Sequence, residues 1–306
     1  MDAIELEGLC KRYGERRGIE SVTLNVPEGS LFGFIGPNGA GKSTTIRTML
    51  GLLRPTAGRA RLMGRDVVEL GPRSRLDVGY VAGETHFYPG MRVRDLLEYL
   101  GSYHPGDHRQ RREELVDVLH IDTGANAMDL SLGNRKKVAL VAAMQHRPRL
   151  LVLDEPTNGL DPLVQARLFE LLQDEVRRGA TVFFSSHVLS EVQRVCRTVA
   201  VLSEGRLVAV EDVARLRGRQ VRRVKASFAH EALPQADRLA QLTGVEGWAR
   251  EGDAASFLYG GAMPELLSAL ATAHPTDVLI EEPSLEEIFL RFYAAPSEGE
   301  NHVVPA

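Results

Sequence analysis

Lysine is scarce in this chain, occurring only at positions 11, 42, 136, 137 and 225, and the formal net charge is −4. A slightly acidic balance excludes the broad cationic footprint that follows a nucleic-acid backbone, although arginine is abundant. Cysteine is nearly absent as well. Cys10 and Cys196 stand far apart without metal-ligand spacing, which excludes a disulfide framework and suits a reducing compartment. No apolar run reaches the ~20 residues that a membrane-spanning helix needs. The opening residues MDAIELEGL alternate and carry acid, unlike a secretory leader. The expectation is a cytoplasmic protein, or one held at the inner face of the cell membrane by a partner. A length of 306 residues provides for one large domain and a smaller one.

What the chain does contain is a phosphate cradle. Gly36-Pro37-Asn38-Gly39-Ala40-Gly41-Lys42-Ser43 follows an apolar strand, Ser30–Ile35, and leads into a helix that continues from Thr44 to Leu50. The glycines let the backbone turn tightly, so that successive N–H groups face phosphate oxygens with the positive end of the helix behind them. Lys42 then reaches the β/γ-phosphates, and Ser43 offers a hydroxyl to Mg²⁺. Downstream, the apolar strand Leu150–Leu153 delivers two carboxylates, Asp154 and Glu155. Asp154 is expected to hold Mg²⁺ opposite Ser43 indirectly, through one of the metal's own ligands. Glu155 is expected to polarise a water for in-line attack on the γ-phosphate.

The rest of the chain supplies a frame for these motifs. Ile4–Tyr13 and Ile19–Val26 alternate around Gly14–Gly18 and predict an antiparallel pair. Arg59–Met63 and Val78–Ala82 are further strands, whereas Val93–Leu100, Arg109–Leu119 and Arg135–Met144 have helical character and form an insertion at about 88–148. Pro162–Arg178 predicts a helix with Val164, Leu168, Leu171 and Leu172 inward, and Thr181–Ser185 and Thr198–Leu202 are buried strands. This alternation predicts an α/β layered domain with a largely parallel sheet that binds ligand at the carboxyl ends of its strands. A boundary is expected near Gly218, giving domains 1–218 and 219–295 and a disordered tail at 296–306. In the second domain Val224–Phe228, Gln235–Leu242, Val245–Arg250, Ala254–Tyr259, Pro264–Thr272 and Asp277–Glu281 follow the order β-α-β-β-α-β. Ser284 and Glu287 form a capping box for a last helix striped by Leu285, Ile288, Phe289 and Phe292.

Leu130-Ser131-Leu132-Gly133-Asn134-Arg135 resembles the LSGGQ signature of ATP-binding-cassette (ABC) ATPases. Ser131 and Gly133 match it, and Leu132 and Asn134 depart from it. The cradle, this segment, LVLDEP at Leu151–Pro156, NGLDP at Asn158–Pro162, and His187 occur in the family's order across the first 215 residues. The Leu-Gly-Asn-Arg wording and the terminal Pro283–Phe289 are similar to cassettes of the drug and antibiotic-resistance exporter group, whose permeases are ABC-2-like. The implied fold is α/β: a P-loop ABC ATPase domain with a mixed sheet, an antiparallel β subdomain and a helical insertion, plus a small α+β ferredoxin-like C-terminal domain.

The resemblance also assigns roles. ATP would lie on Gly36–Thr44 with Tyr13 stacked on adenine, and the cofactors are ATP and Mg²⁺. Ser131 and Gly133 would bind the γ-phosphate of ATP held by the other subunit of a homodimer. Asp161 would link the two sites, and His187 would bond the γ-phosphate and the attacking water beside Glu155 and Lys42. Plainer alternatives are an ordinary strand aromatic for Tyr13, a helix cap for Asp161 and a structural histidine for His187. In Val78-Gly79-Tyr80-Val81-Ala82-Gly83-Glu84 the family's usual metal-touching glutamine falls on Gly83. Either Glu84 substitutes as a metal ligand or the metal keeps an extra water; the reading taken forward is Glu84. Thr85–Val93, with Phe87, Tyr88 and Pro89, is the expected groove for an integral membrane permease. The function expected is therefore the ATP-hydrolysing subunit of an exporter, with no nucleic acid. A soluble ABC ATPase acting on ribosomes or DNA is the alternative, and a small-molecule kinase a third reading.

Overall fold

The computed structural model describes residues 1–14, 16–87, 89–214, 221–281 and 283. The chain separates into two compact units, Met1–Val213 and Ala214–Ala306, a division that falls ahead of Gly218. The expected terminal helix and tail lie outside the described residues, as does Tyr88.

The first unit is built on two sheets. In the antiparallel one, β1 (Asp2–Tyr13) lies between β2 (Arg16–Pro27) and β4 (Ala57–Leu62), with the short β5 (Arg65–Asp66) at the edge. Ile4 faces Val26, Leu6 faces Leu24, and Leu9 faces Val22, so the alternation seen in the sequence becomes a single buried face. The larger sheet is ordered β10-β9-β3-β8-β7-β6. Its strands are β3 (Leu31–Ile35), β6 (Val78–Val81), β7 (Leu150–Asp154), β8 (Thr181–Ser186), β9 (Thr198–Ser203) and β10 (Arg206–Asp212). Every residue of β3, β7 and β8 is buried, as expected of strands covered on both faces. The sheet is parallel except that β10 pairs antiparallel with β9. That hairpin is absent from the sequence reading because half-exposed Arg206–Asp212 lacks a buried run.

Helix α1 (Lys42–Met49) leaves the cradle behind Gly41, whose φ of 101° places it in the left-handed region that favours glycine. The insertion contains α2 (Val93–Gly101), α3 (Arg109–Val118) and α4 (Leu132–Met144). Helix α4 starts at Leu132, ahead of the expected Arg135, because the Ser131 side chain accepts the N–H of Asn134 and caps it there. Helix α5 (Pro162–Arg177) is capped in the same way by Asp161, with Pro162 in its first turn. Helix α6 (Leu189–Val195) follows β8.

The second unit has one antiparallel sheet, ordered β12-β13-β11-β14, from β11 (Arg222–Phe228), β12 (Val245–Glu251), β13 (Ala254–Tyr259) and β14 (Pro275–Glu281). The helices are α7 (Leu233–Ala236), flanked by 3₁₀ turns, and α8 (Met263–Ala273). This order is the ferredoxin-like one. The expected continuous helix at Gln235–Leu242 is instead a short α-helical turn, Leu233–Ala236, with Pro234 in its first turn, followed by a 3₁₀ turn at Asp237–Gln241. Val224, Phe228, Phe257, Leu266 and Leu270 form a core of their own around buried Tyr259, whose hydroxyl donates to the Ala262 carbonyl at 3.1 Å.

Candidate functional site

Parallel pairing of β7, β8 and β3 aligns their carboxyl ends, so the loops that follow them open side by side. The loop after β3 is the cradle. A Cβ on Gly36 would lie 2.3 Å from the Leu202 carbonyl oxygen, so only glycine fits against β9. Lys42 is 6% exposed and folds back into this loop, donating to the carbonyls of Gly36 (2.6 Å) and Pro37 (3.2 Å). Helix α1 has no acidic residue in its first turn, which leaves its N-terminal N–H groups free of a competing carboxylate.

Strand β7 delivers its two acids into different surroundings. Asp154 Oδ1 accepts the Ser185 hydroxyl at 2.9 Å, and the Glu155 N–H donates to Ser185 Oγ at 3.1 Å. Asp154 Oδ2 is buried with no hydrogen-bond partner. Glu155 adopts a φ of 49°, a left-handed conformation uncommon for a side-chain-bearing residue and one that turns its carboxylate off the strand line. One of its oxygens meets Lys42 Nζ at 3.2 Å. The other is 2.6 Å from His187 Nδ1 and 3.4 Å from Asn158 Nδ2. Lys42, Glu155 and His187 thus form one connected cluster, and Asp154 joins it through Ser185.

The remaining expected residues lie around this cluster. Tyr13 is half-exposed at the end of β1, with Lys11 Nζ 5.4 Å from its ring centroid. Its ring edge lies so near Gly18 that a Cβ there would sit 3.0 Å away. Asp161 spends one carboxylate oxygen on the N–H groups of Leu163 and Val164, the capping role of its plainer alternative. Ser131 and Leu132 are exposed at the start of α4. Gly133 is wedged against the NGLDP loop, where an added Cβ would lie 2.4 Å from the Gly159 carbonyl oxygen. Glu84 does not reach the cluster in this conformation: its side chain is 90% exposed, 4.0 Å from His86. Phe87 is only half-buried beside it.

The packing at Gly133 yields a testable consequence. Gly133→Ala must displace the Gly159 carbonyl, and a misplacement of this order typically lowers a rate about 10²-fold. Steady-state phosphate release measures it, and turnover equal to wild type would contradict the contact.

Three residues near the acids escaped the sequence reading. Ser185 carries no spacing signal, and Asn158 opens the NGLDP motif without a role of its own in that reading. Lys136 does carry one, because it falls on the stripe that continues through Leu140, Ala143 and Met144, where a lysine is out of place. Burial lowers the pKa of Lys136, and the charges of Asp154 and Glu155 oppose that shift.

Comparison with known proteins gives this cluster its context. The family model described as "ABC transporter" matches residues 19–158. The bacitracin transport ATP-binding protein of Enterococcus faecalis is 36% identical over 71% of this chain and 71% of its own length. The linearmycin resistance ATP-binding protein of Bacillus subtilis is 29% identical over 94% and 97%, respectively. Among solved structures, the ATP-binding subunit of an ABC transporter aligns with a TM-score of 0.66 at 28% identity, covering 70% of this chain and 92% of that one. A cassette bound to ADP and Pi aligns with a TM-score of 0.63 at 22% identity over 69% and 98%, a likeness of fold. With the cradle, the paired acids and the histidine gathered at one end of the parallel strands, the chain belongs to the ABC transporter family, as an ATPase subunit.

Proposed function

We propose that this chain powers a separate membrane permease that exports a drug, antibiotic or other amphipathic compound, working as a homodimer at the inner face of the membrane. The observation that carries this reading is the Lys42–Glu155–His187 cluster beside the cradle, and it is supported by Ser131, exposed at the start of α4, where on this reading it meets the phosphate held by a second copy. No helix among the described residues is long and apolar enough to cross a membrane, so on this reading the membrane path belongs to the permease. The exposed aromatics Tyr99 and Tyr103 pack edge to face, and Tyr103 helps to line a cavity of about 240 Å³ against Tyr80 and His146, which favours docking of a permease segment on this side.

Asp154 supplies the test of whether a divalent cation fits. Its buried, partnerless Oδ2 faces Gly83, where a Cβ would lie 3.4 Å away, so a carboxylate oxygen looks into space that no side chain fills. That suits a hard cation with oxygen ligands, held by Asp154 and the hydroxyl of Ser43. When bound, Mg²⁺ neutralises charge on the β- and γ-phosphates. The chain's own residues do the rest. Lys42 neutralises Glu155 at 3.2 Å. Incoming phosphates draw Lys42 into the cradle's ring of N–H groups and leave Glu155 free to take a proton from water. His187, 2.6 Å from Glu155, fixes that carboxylate's direction and donates toward the γ-phosphate. Ser131 and Gly133 of a second copy close the far side, and closure moves the permease.

Affinity purification of the chain from its native membrane tests the transport reading. The expected result is co-purification of a polytopic membrane protein. Co-sedimentation with ribosomes and no membrane partner would favour the soluble alternative.

A further inference from the structure

The loop after β6 reaches the acids without a side chain of its own. Gly83 contributes only backbone there, and the carboxylate of Glu84 is turned to solvent. A different element fills the role. Lys136, on α4, is 1% exposed, and its ammonium donates to the carbonyl of Ala82 at 3.0 Å and to that of Gly83 at 2.7 Å. An ammonium has three donors, and these two consecutive carbonyls take two of them. The carboxylates of Asp154 and Glu155 are near enough to favour its charged form. The same helix is capped by Ser131, so a short rigid segment joins this ammonium to the exposed N-terminus of α4.

We propose that Lys136 is a positioning residue for ATP hydrolysis, passing the arrival of nucleotide and its cation at Asp154 and Glu155 to the loop at Ala82–Gly83 and to the N-terminus of α4. The inference rests on the ATPase reading given above. A buried charge feels its neighbours through a low effective dielectric, so changes of charge at the acids act strongly on it. An added cation at Asp154 pushes the ammonium away, and an added γ-phosphate pulls it. Because Nζ grips two successive carbonyls, it moves only with the loop or the helix. Lys136 thus couples the two through main-chain atoms, which explains how a loop with glycine at the metal-facing position serves this site.

The test uses the full chain as wild type, Lys136→Met, Lys136→Gln and Glu155→Gln, with turnover and amide hydrogen exchange measured with and without ATP and Mg²⁺. Lys136→Met is expected to lower kcat about 10–100-fold, as loss of an orienting partner does, with KM for ATP nearly unchanged because the cradle is intact. In the wild type, nucleotide is expected to alter exchange at 36–44, 78–84 and 131–136. In Lys136→Met the response at 131–136 disappears while that at 36–44 persists. Where the methionine variant does not fold, Lys136→Gln, which keeps amide donors without the charge, must show the same two losses. Adding Gly83→Gln to either variant is expected to restore part of the turnover, since position 83 has room for a side chain in ordinary contact with Asp154. Wild-type kcat in the Lys136 variants, or a retained response at 131–136, would overturn the proposal. So would failed rescue combined with a matching loss of thermal stability, which would mark Lys136 as packing alone. Failure of the ATPase reading looks different, because then the wild type itself would release no phosphate from ATP, whereas Glu155→Gln with unchanged turnover would touch only the base assignment.

Discussion

Glu155→Gln is expected to bind ATP like the wild type and to hydrolyse it about 10²–10⁴-fold more slowly, the usual scale for removing a general base. The substitution keeps shape and hydrogen-bonding reach, and the residue's left-handed backbone at φ 49° burdens glutamate and glutamine alike. What disappears is a charge that Lys42 and His187 now share at 3.2 and 2.6 Å. With that charge gone the amide cannot accept the water's proton, while Lys42 is released from an ion pair and is freer to engage phosphate. Nucleotide should therefore hold two copies together without being consumed. Size-exclusion chromatography with ATP should show a dimer that outlasts the wild-type one, and phosphate release should fall to near background. Turnover at the wild-type rate would remove Glu155 from the role of base.

The second large effect is on stability. Phe183 is fully buried in β8, with Phe32 stacked at 6.0 Å between centroids and Phe34 tilted at 5.1 Å. Phe183→Ala should cost about 3–5 kcal/mol, combining lost apolar transfer with a cavity that flanking strands cannot close. Strand β8 lies between β3, which ends in the cradle, and β7, which ends in the acids. Loosening it should therefore also blunt nucleotide binding. Denaturant midpoints at unchanged m-value provide the measurement. A loss below about 1 kcal/mol would mean that neighbours refill the space.

The strands that carry chemistry were legible because their local signals agree with their place in the fold. Leu150–Leu153 is apolar without interruption, so it belongs inside a parallel sheet whatever surrounds it. The cradle is equally legible, since glycine at 36 and 41 answers backbone demands within a few residues. Helix α6 and strand β10 were missed, because a seven-residue helix and a half-exposed edge strand leave little periodicity. Glu84 shows a different limit. Composition placed a carboxylate beside Gly83, but side-chain direction depends on a loop whose course is set by contacts far along the chain. Lys136 is the converse case, visible as a misplaced lysine on an apolar stripe yet without meaning until Ala82 and Gly83 are folded over it.

The two cysteines also differ in a useful way. Cys196 is buried, and loss of hydration pushes its thiol pKa well above the ordinary range, so it resists alkylation in the folded chain. Cys10 is partly accessible on β1, with its sulfur between the Gly8 carbonyl and the Ser21 N–H. A maleimide dye added to the native sequence should therefore mark one position, three residues before Tyr13. The chain thus arrives with a built-in attachment point for a fluorescent reporter of adenine occupancy, and no engineered cysteine is needed.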